Sequence, residues 1–265
     1  MHETIALNLA CLQETLRYNV EKNMLFFRIT SDLIPFASHE VCSFKWQVVF
    51  SDTLKEIGRF IRENKFRISM HPDQFVLINS LDERIFQNSL RELSYHAEVL
   101  DLLGLDRTAK IQIHAGGVYG DKDRSMERFI ERYKTIPKKI RDRLVIENDE
   151  RLYSIADCME IYTRTGVPVL FDVFHFSCNN SGERLRDAVK NAAGTWSEQD
   201  GIPMVDYSSQ EKGKRLGTHA QSIDISHFKK FLKETEALNF DIMLEIKDKE
   251  KSALKALKAI SGRTS

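Results

Sequence analysis

The sequence predicts an α/β fold of the TIM (β/α) barrel type that lacks the first of the usual eight strands. Seven short and almost continuously apolar segments recur along the chain, as expected of parallel strands covered on both faces. Amphipathic segments typical of helices separate them. A closed barrel of this type needs eight strands and about 250 residues, and the chain has 265 residues. Because no linker, low-complexity tract or repeat divides the chain, we expect one barrel domain over residues 1–265.

Each predicted strand is a short apolar run bounded by polar or turn residues. Leu144, Val145 and Ile146 illustrate the pattern, since Arg143 precedes them and Glu147 follows. The seven predicted strands are residues 25–29, 66–71, 110–114, 143–148, 168–174, 203–208 and 241–247.

Apolar residues three and four positions apart predict the helices. The first helix precedes all strands and carries on one face Ile5, Leu9, Leu12 and Leu16. Later apolar stripes run over residues 46–60, 86–100 and 185–192.

Capping residues agree with these helices. Ser154 and Asp157 predict a capping box, and Gly166 is expected to end the helix that this box begins. Ser181 is expected to cap the next helix, which Gly194 ends.

The composition limits the class of protein. Lys plus Arg and Asp plus Glu number 39 each, a balance that neither indicates nor excludes a polyanionic partner. The four cysteines are scattered and form no CxxC pair, which indicates reduced thiols. No apolar run approaches the roughly 20 residues of a membrane span, and the N-terminus lacks the pattern of a signal peptide. We therefore expect a soluble, monomeric cytoplasmic protein without a membrane partner.

Acidic residues and histidines stand at the C-terminal ends of most predicted strands. In a parallel barrel these ends converge on one face, so we expect the side chains to lie close together. Any one of them alone is more often structural or a helix cap, but the joint pattern predicts a metal site. The candidates are His71, His114, Glu147, Asp172, His175, Asp206, His219 and Glu245.

Charge determines what such a cluster binds. Two like charges about 4 Å apart repel by about 4 kcal/mol at an effective dielectric constant near 20. Four carboxylates must therefore either take up protons or bind cations. Histidine ligands favour cations, and mixed imidazole and carboxylate ligands suit Mn, Zn or Fe. The pattern predicts two to three divalent metal ions.

At these residues the chain resembles the UV damage endonucleases, repair enzymes related in fold and metal site to the endonuclease IV type of abasic-site nuclease. The resemblance spans nearly the whole chain, and the combination of its motifs is specific. The matching stretches are LFFRITSDLIPFASH (25–39), ISMHPDQF (68–75), IQIHAGG (111–117), LVIENDE (144–150), FDVFH (171–175) and MLEIKDKE (243–250).

The resemblance implies up to three metal ions, most commonly manganese. One ion would be held by His71, His114 and Glu147. A second would be held by Glu147, which bridges the two, together with Asp172, Asp206 and Glu245. A third, more exposed ion would be held by His175 and His219.

The resemblance also implies the reaction. Members of the family cut damaged double-stranded DNA on the 5′ side of UV photoproducts, and some also cut at abasic sites. Hydrolysis of the phosphodiester would leave a 3′ hydroxyl and a 5′ phosphate. Glu147 and Lys247 are the predicted catalytic residues.

Several residues are expected to contact DNA or the lesion. Family members insert a Gln-Tyr pair into the duplex, and here Gln74 and Phe75 match that pair. His39, in the loop after the first predicted strand, is a further candidate, with a structural role as the alternative. Asn148 and Lys247 lie close to ligand positions and would orient ligands or touch phosphate.

The chain departs from the family pattern at specific positions. Phe75 can stack on a base but lacks the hydroxyl of tyrosine. Asp206 replaces a histidine of some members and can still be a ligand, whereas Met204 replaces a lysine that is described as modified in some members. The N-terminal strand, which carries DNA-contacting residues in the family, is missing.

Three alternatives remain open from the sequence. A metal-dependent sugar isomerase or epimerase on the same barrel would show a similar cluster at its strand ends. A general abasic-site nuclease is the second alternative. The third is an inactive, truncated DNA-binding barrel, which the missing strand suggests and the eight ligand-type residues disfavour.

Overall fold

The structure is a computed structural model and describes residues 1–261. The chain forms two compact units, residues 1–145 and 146–265. Seven strands follow one another through the sheet in the order of the chain. The registered strand pairs are parallel. This topology is the one expected when a helix connects each strand to the next.

The first unit contains six helices and three complete strands. The helices are α1 (His2–Glu21), α2 (Trp46–Val49), α3 (Ser51–Glu63), α4 (Glu83–Leu102), α5 (Lys122–Thr135) and α6 (Lys138–Arg141). The strands are β1 (Phe26–Ile29), β2 (Arg67–Met70) and β3 (Lys110–His114); a 3₁₀ turn, Ser31–Leu33, follows β1. Strand β4 (Leu144–Glu147) begins in this unit and ends in the second.

The second unit contains the remaining elements of the described chain. Its helices are α7 (Ile155–Thr165), α8 (Val173–Cys178), α9 (Leu185–Ala193), α10 (Ile225–Glu234) and α11 (Glu250–Ser261). Its complete strands are β5 (Val169–Asp172), β6 (Met204–Tyr207) and β7 (Asp241–Leu244); a 3₁₀ turn, Glu198–Asp200, precedes β6.

The inner strands are buried more completely than the outer ones. Every residue of β4, β5 and β6 is buried, whereas β1 and β7 are mostly half-buried. The apolar runs in the sequence thus correspond to strands that are covered on both faces. None of the helices within residues 1–261 combines the length and the apolar character needed to cross a membrane.

All seven predicted strands are found, each within its predicted segment. The capping box of Ser154 and Asp157 is also present, and Gly166 ends α7 in the left-handed region with φ 74°. The N-terminal helix buries the four predicted apolar residues against the first unit. Local pattern is therefore sufficient for these elements, because strand burial and capping both depend on near neighbours.

Two predicted features are wrong. Ser181 does not cap α9, whose N-cap is Arg184. The Ser181 N–H donates to Glu183 Oε2 at 2.8 Å, and Gly182 follows with φ 94°. Residues 181–183 therefore form a turn before the helix. The stripe over 46–60 is two helices, α2 and α3, because the chain leaves the helical conformation at Phe50.

Candidate metal centre

Three carboxylates converge at the C-terminal ends of neighbouring strands in the second unit. Asp172 ends β5, Asp206 lies within β6, and Glu245 directly follows β7. The register pairs Asp172 with Asp206, and the Glu245 N–H donates to the Tyr207 carbonyl at 2.9 Å. One oxygen of each carboxylate lies within 4.8 Å of the other two. We refer to Asp172, Asp206 and Glu245 as the carboxylate cluster.

The cluster is electrostatically unfavourable without a counter-charge. Asp172 and Asp206 are fully buried. Burial raises the pKa of Asp172 well above its usual range, and the charges of Glu245, Glu147 and Asp206 raise it further. The Asp172 Oδ1 atom accepts a hydrogen bond from the His175 backbone N–H at 2.5 Å, which acts in the opposite direction.

The second oxygen of Asp172 identifies the type of group that fits here. Asp172 Oδ2 is buried and has no hydrogen-bond partner among the described residues. Buried polar atoms are nearly always paired, because an unpaired one carries its full desolvation penalty. A cation bound by the cluster would satisfy this oxygen and neutralise the crowded charge. The donor set, two buried carboxylates and one half-buried carboxylate, therefore fits a divalent metal ion.

Three of the predicted ligand histidines place Nδ1 next to a backbone carbonyl. The Nδ1 atom of His71 lies 2.8 Å from the Pro72 carbonyl, that of His175 lies 3.0 Å from the Asn148 carbonyl, and that of His219 lies 3.0 Å from the Glu245 carbonyl. A carbonyl only accepts, so Nδ1 carries the proton and the Nε2 lone pair is left for a metal. Histidine ligands are usually supported in this way by a hydrogen bond from the ring nitrogen that does not bind the metal.

The histidines form one pair in each unit. In the first unit the rings of His71 and His114 have centroids 5.4 Å apart, and a nitrogen of each lies within 4.8 Å of the other. In the second unit the rings of His175 and His219 have centroids 6.0 Å apart. His71 and His114 lie at or next to the ends of their strands and His219 in a loop after β6, whereas His175 lies in α8, which directly follows β5.

Glu147 lies beside the carboxylate cluster in the second unit. It is buried at the end of β4, and its Oε1 atom is 3.8 Å from Nδ1 of His175. Its charge is one of those that raise the pKa of Asp172. The assignment of Glu147 to an ion shared with His71 and His114 stays a prediction.

Asn148 connects the ends of β4 and β5. Its Nδ2 donates to the Asp172 carbonyl at 3.0 Å, and its Oδ1 accepts from the Asp172 N–H at 3.0 Å. Its own carbonyl accepts from His175 Nδ1. The fully buried amide thus positions two candidate ligands, which supports the orienting role expected for Asn148. Its contact with DNA stays a prediction.

The acidic residues Asp149 and Glu150, which follow Asn148, make different contacts. Asp149 accepts hydrogen bonds from the backbone N–H groups of Arg151, at 2.8 Å, and Tyr153, at 3.0 Å, and so closes the loop after β4. Glu150 Oε2 lies 4.0 Å from Nε2 of His175, a proximity that sequence reasoning missed. Asn148 and Glu150 therefore lie against site residues, whereas the side chain of Asp149 stabilises the loop that follows.

Sequence reasoning also missed a contact that positions His71. The Ser31 hydroxyl donates to the His71 carbonyl at 2.8 Å. The contact depends on the register of β1 against β2, which brings the residues after these strands side by side. No property of a lone serine indicates such a contact.

The residues expected to contact DNA are mostly at the surface. Gln74 and Phe75 are exposed in the loop after β2, and Phe75 is 54% exposed. His39 is exposed in the loop after β1, where its Nδ1 accepts from the Val41 N–H at 3.2 Å. Lys247 is exposed two residues beyond Glu245. Exposure leaves these side chains accessible to a ligand, and their roles stay predictions.

Comparison with known proteins identifies the family. A family model described as UV-endonuclease UvdE matches residues 1–264. The chain belongs to the UV-endonuclease UvdE family. This confirms the family predicted from the sequence.

Relatives within the UvdE family match almost the whole chain. It is 41% identical over 255 residues to a UV DNA damage endonuclease of Clostridium perfringens, and the match covers 96% of this chain and 62% of the relative. It is 34% identical over 273 residues to one of Bacillus cereus (strain B4264), and that match covers 99% of this chain and 86% of the relative. The chain thus spans less than two thirds of the Clostridium relative's length.

Solved structures confirm the predicted fold class. The crystal structure of SacUVDE superposes with a TM-score of 0.95 at 45% identity, covering 99% of this chain and 88% of that one. Endonuclease IV from Thermus thermophilus superposes with a TM-score of 0.62 at 14% identity, covering 95% and 91% of the two chains. A D-psicose 3-epimerase from Clostridium cellulolyticum reaches 0.61 at 13% identity, covering 92% of this chain and 91% of that one. The last two similarities show the TIM-barrel fold alone, so they do not indicate a sugar substrate for this chain.

Proposed function

We propose that this chain is a metal-dependent DNA repair endonuclease that hydrolyses the phosphodiester on the 5′ side of UV photoproducts. The observation that carries the proposal is the carboxylate cluster, in which Asp172 keeps a buried oxygen without a hydrogen bond from the described residues, within a chain of the UvdE family. We also propose that residues 1–265 act as one barrel domain and as a cytoplasmic monomer.

The chain's own residues fit two to three divalent ions. The carboxylate cluster with Glu147 would hold one, His175 and His219 another, and His71 and His114 would contribute to a further one. Mixed carboxylate and imidazole donors suit Mn best here, with Zn or Fe as the other candidates. When bound, such ions lower the pKa of water and neutralise charge on the phosphate.

The protein's contribution is to hold these groups in place. Asn148 fixes Asp172 and His175 through hydrogen bonds to their backbone and ring atoms. The backbone carbonyls that accept from Nδ1 of His71, His175 and His219 fix the tautomer of each ring. Because the groups are preset, little reorganisation is needed when the substrate arrives.

The reaction is a hydrolysis. Water adds to the phosphorus, the bond from phosphorus to the 3′ oxygen breaks, and the departing oxygen takes a proton. The products are a 3′ hydroxyl and a 5′ phosphate. We assign Glu147 and Lys247 to catalysis, with Lys247 close to the phosphate.

Damaged DNA is the proposed partner. Lesions make unstacking less costly than the few kcal/mol that an intact step requires. Gln74 and Phe75 would occupy the space left by the displaced bases, as intercalating side chains do. Their exposure in the loop after β2 supports this role.

A plasmid nicking assay tests the proposed function. Supercoiled plasmid is incubated with protein and manganese after ultraviolet irradiation, beside untreated plasmid and plasmid with abasic sites. We expect nicking of irradiated plasmid that EDTA abolishes. Extension of the nicked strand by a DNA polymerase would verify the 3′ hydroxyl. Equal nicking of abasic plasmid would broaden the substrate range, whereas no nicking of irradiated plasmid would contradict the proposal.

Variants at two glutamates provide the matched comparison. Glu147→Gln should abolish nicking while the protein remains folded. Glu160→Gln, at an exposed position of α7, removes the same charge away from the site and should nick like the wild type. A fully active Glu147→Gln protein would remove Glu147 from the catalytic site.

A further inference from the structure

Two phenylalanines differ from all the others in the chain. Of the 16 phenylalanines, all of which lie within the described residues 1–261, only Phe36 and Phe75 are exposed, at 66% and 54%. Exposure of a large aromatic ring forgoes about 1.5–3 kcal/mol of burial free energy. A ring that remains in water is therefore a candidate for contact with a ligand.

Both rings lie in loops that leave the same edge of the sheet. Phe36 follows β1 and Phe75 follows β2. These strands pair in parallel, with Ile29 opposite Met70 at their C-terminal ends. The Ser31 hydroxyl then bonds to the His71 carbonyl and ties the beginnings of the two loops together.

Hydrogen bonds to α4 anchor the loop that carries Phe36. The hydroxyl of buried Tyr95 accepts from the Ile34 N–H at 3.0 Å and donates to the Ser31 carbonyl at 2.9 Å. The exposed position of Phe36 thus belongs to an anchored loop.

The backbone at Phe36 adopts a conformation that is rare for a large side chain. Phe36 has φ 58°, in the left-handed region, which bulky residues rarely occupy. The turn around it is closed by the hydrogen bond from the His39 N–H to the Phe36 carbonyl at 2.9 Å. Strained residues of this kind persist where the surrounding structure enforces them, and they concentrate at binding sites.

The exposed aromatic of the next loop is a weaker candidate. Tyr119, after β3, is 40% exposed and also has a positive φ of 52°. Its ring already contacts Arg128, whose guanidinium lies 5.4 Å from the ring centroid, and it lies against Gly117. The ring of Phe36 is more exposed than that of Tyr119, so its face is the more accessible of the two.

We propose that Phe36 is a second base-stacking residue of the DNA interface, beside Phe75. This inference rests on the proposed function, because that function brings a damaged duplex to the strand-end edge. Displacement of a lesion leaves more than one base without its stacking neighbour. An aromatic face accepts any base, since every base has a π-face. Two aromatic rings on adjoining loops would cover bases on two sides of the distortion.

Binding measurements on matched variants test the role of Phe36. Metal-free protein in EDTA is titrated with a duplex that contains one UV photoproduct, at several salt concentrations. Phe36→Ala should weaken binding by at least about fivefold, the lower end for loss of one stacked base. Phe36→Tyr should restore binding and Phe36→Leu should not, because only the former keeps an aromatic face. The slope of log affinity against log salt should not change, since no phosphate contact is removed.

The controls separate this inference from the proposed function. Tyr18→Ala removes an exposed aromatic from α1, outside the strand-end loops, and should bind like the wild type. If Phe36→Ala binds the damaged duplex with wild-type affinity while Phe75→Ala binds it more weakly, the inference is overturned and the proposed function still stands. A wild-type protein that neither binds nor nicks irradiated DNA would overturn both. If Phe36→Ala instead changes only the oligomeric state seen by light scattering, Phe36 contacts protein and the inference is wrong.

Discussion

Two buried groups of titratable side chains differ in how completely their hydrogen bonds are satisfied. In the first unit, His96 of α4 is fully buried, its Nδ1 lies 2.8 Å from the Glu92 carbonyl, and its Nε2 lies 3.0 Å from the Ser31 hydroxyl. In the second unit, Asp172 is equally buried, but one of its oxygens receives no hydrogen bond from any residue that the structure describes.

The difference separates a structural network from a ligand site. Burial lowers the pKa of His96 to about 4, so the ring is neutral at physiological pH, and each ring nitrogen lies within hydrogen-bond distance of a polar atom. Burial raises the pKa of Asp172, and the surrounding carboxylates raise it further. The first group carries no charge that an ion would balance, whereas the second needs a proton or a cation. Burial alone therefore does not identify a metal site; burial with an unsatisfied like-charge cluster does.

The largest effect is expected at the carboxylate cluster. Asp172→Asn should reduce nicking of irradiated plasmid by about 10³-fold or more, because metal-assisted stabilisation of developing charge contributes several kcal/mol. The same change removes a charge from the crowded site and should stabilise the metal-free protein by about 1 kcal/mol or more. Urea denaturation in EDTA measures the second effect. A variant that is less stable than the wild type in EDTA would contradict the like-charge account.

A smaller loss of activity is expected at Asn148. Asn148→Ala removes two hydrogen bonds to the Asp172 backbone and should reduce both manganese affinity and the nicking rate by about 10- to 100-fold. Calorimetric titration of metal-stripped protein with manganese measures the affinity. Asn191→Ala, at an exposed position of α9, is the control and should behave like the wild type. Unchanged manganese affinity of Asn148→Ala would restrict Asn148 to a purely structural role.

These positioning contacts mark the limit of prediction from sequence. The convergence of Asp172, Asp206 and Glu245 followed from strand ends in a parallel sheet, and the structure brings these residues together. The hydrogen bonds of Asn148 depend on the register of β4 against β5, and those of Ser31 on the register of β1 against β2. Local pattern carries no information about register between strands joined by long connections.

Loop conformation was equally inaccessible from local pattern. The exposed ring of Phe36 depends on a positive φ that no feature of a phenylalanine indicates. Ser181 is a residue type that commonly caps helices, but it lies in a turn with Gly182, and Arg184 is the N-cap of α9. The motif IPFASH nevertheless placed the loop within the family pattern, because a multi-residue match captures context that single residues do not.

The exposed loop after β2 permits a test that should leave the metal centre intact. Phe75→Ala should weaken affinity for damaged duplex by about 1–3 kcal/mol, the range for one lost base stack, while manganese content is unchanged. Fluorescence anisotropy with a labelled duplex and elemental analysis of the same samples provide both values. Wild-type affinity for the damaged duplex would reject the stacking role of Phe75.

The His96 network predicts an effect on stability that appears only in acid. Because the folded pKa is about 4 and the ordinary value is 6.5, the stability that neutral His96 contributes is complete above pH 6.5 and is lost as the pH falls towards 4. Between pH 7 and pH 5 this loss should be about 2 kcal/mol. In His96→Gln, the drop in unfolding free energy over this interval should be smaller by that amount. Equal drops in both proteins would show that His96 is not buried as a neutral ring.

Anomalous scattering at the manganese absorption edge, from crystals of protein that nicks irradiated DNA, tests the central claim most directly. We predict a strong anomalous peak among Asp172, Asp206 and Glu245, and its loss in Asp172→Asn crystals grown under the same conditions. Active protein whose crystals show no anomalous peak at these three carboxylates would contradict the assignment of the metal centre.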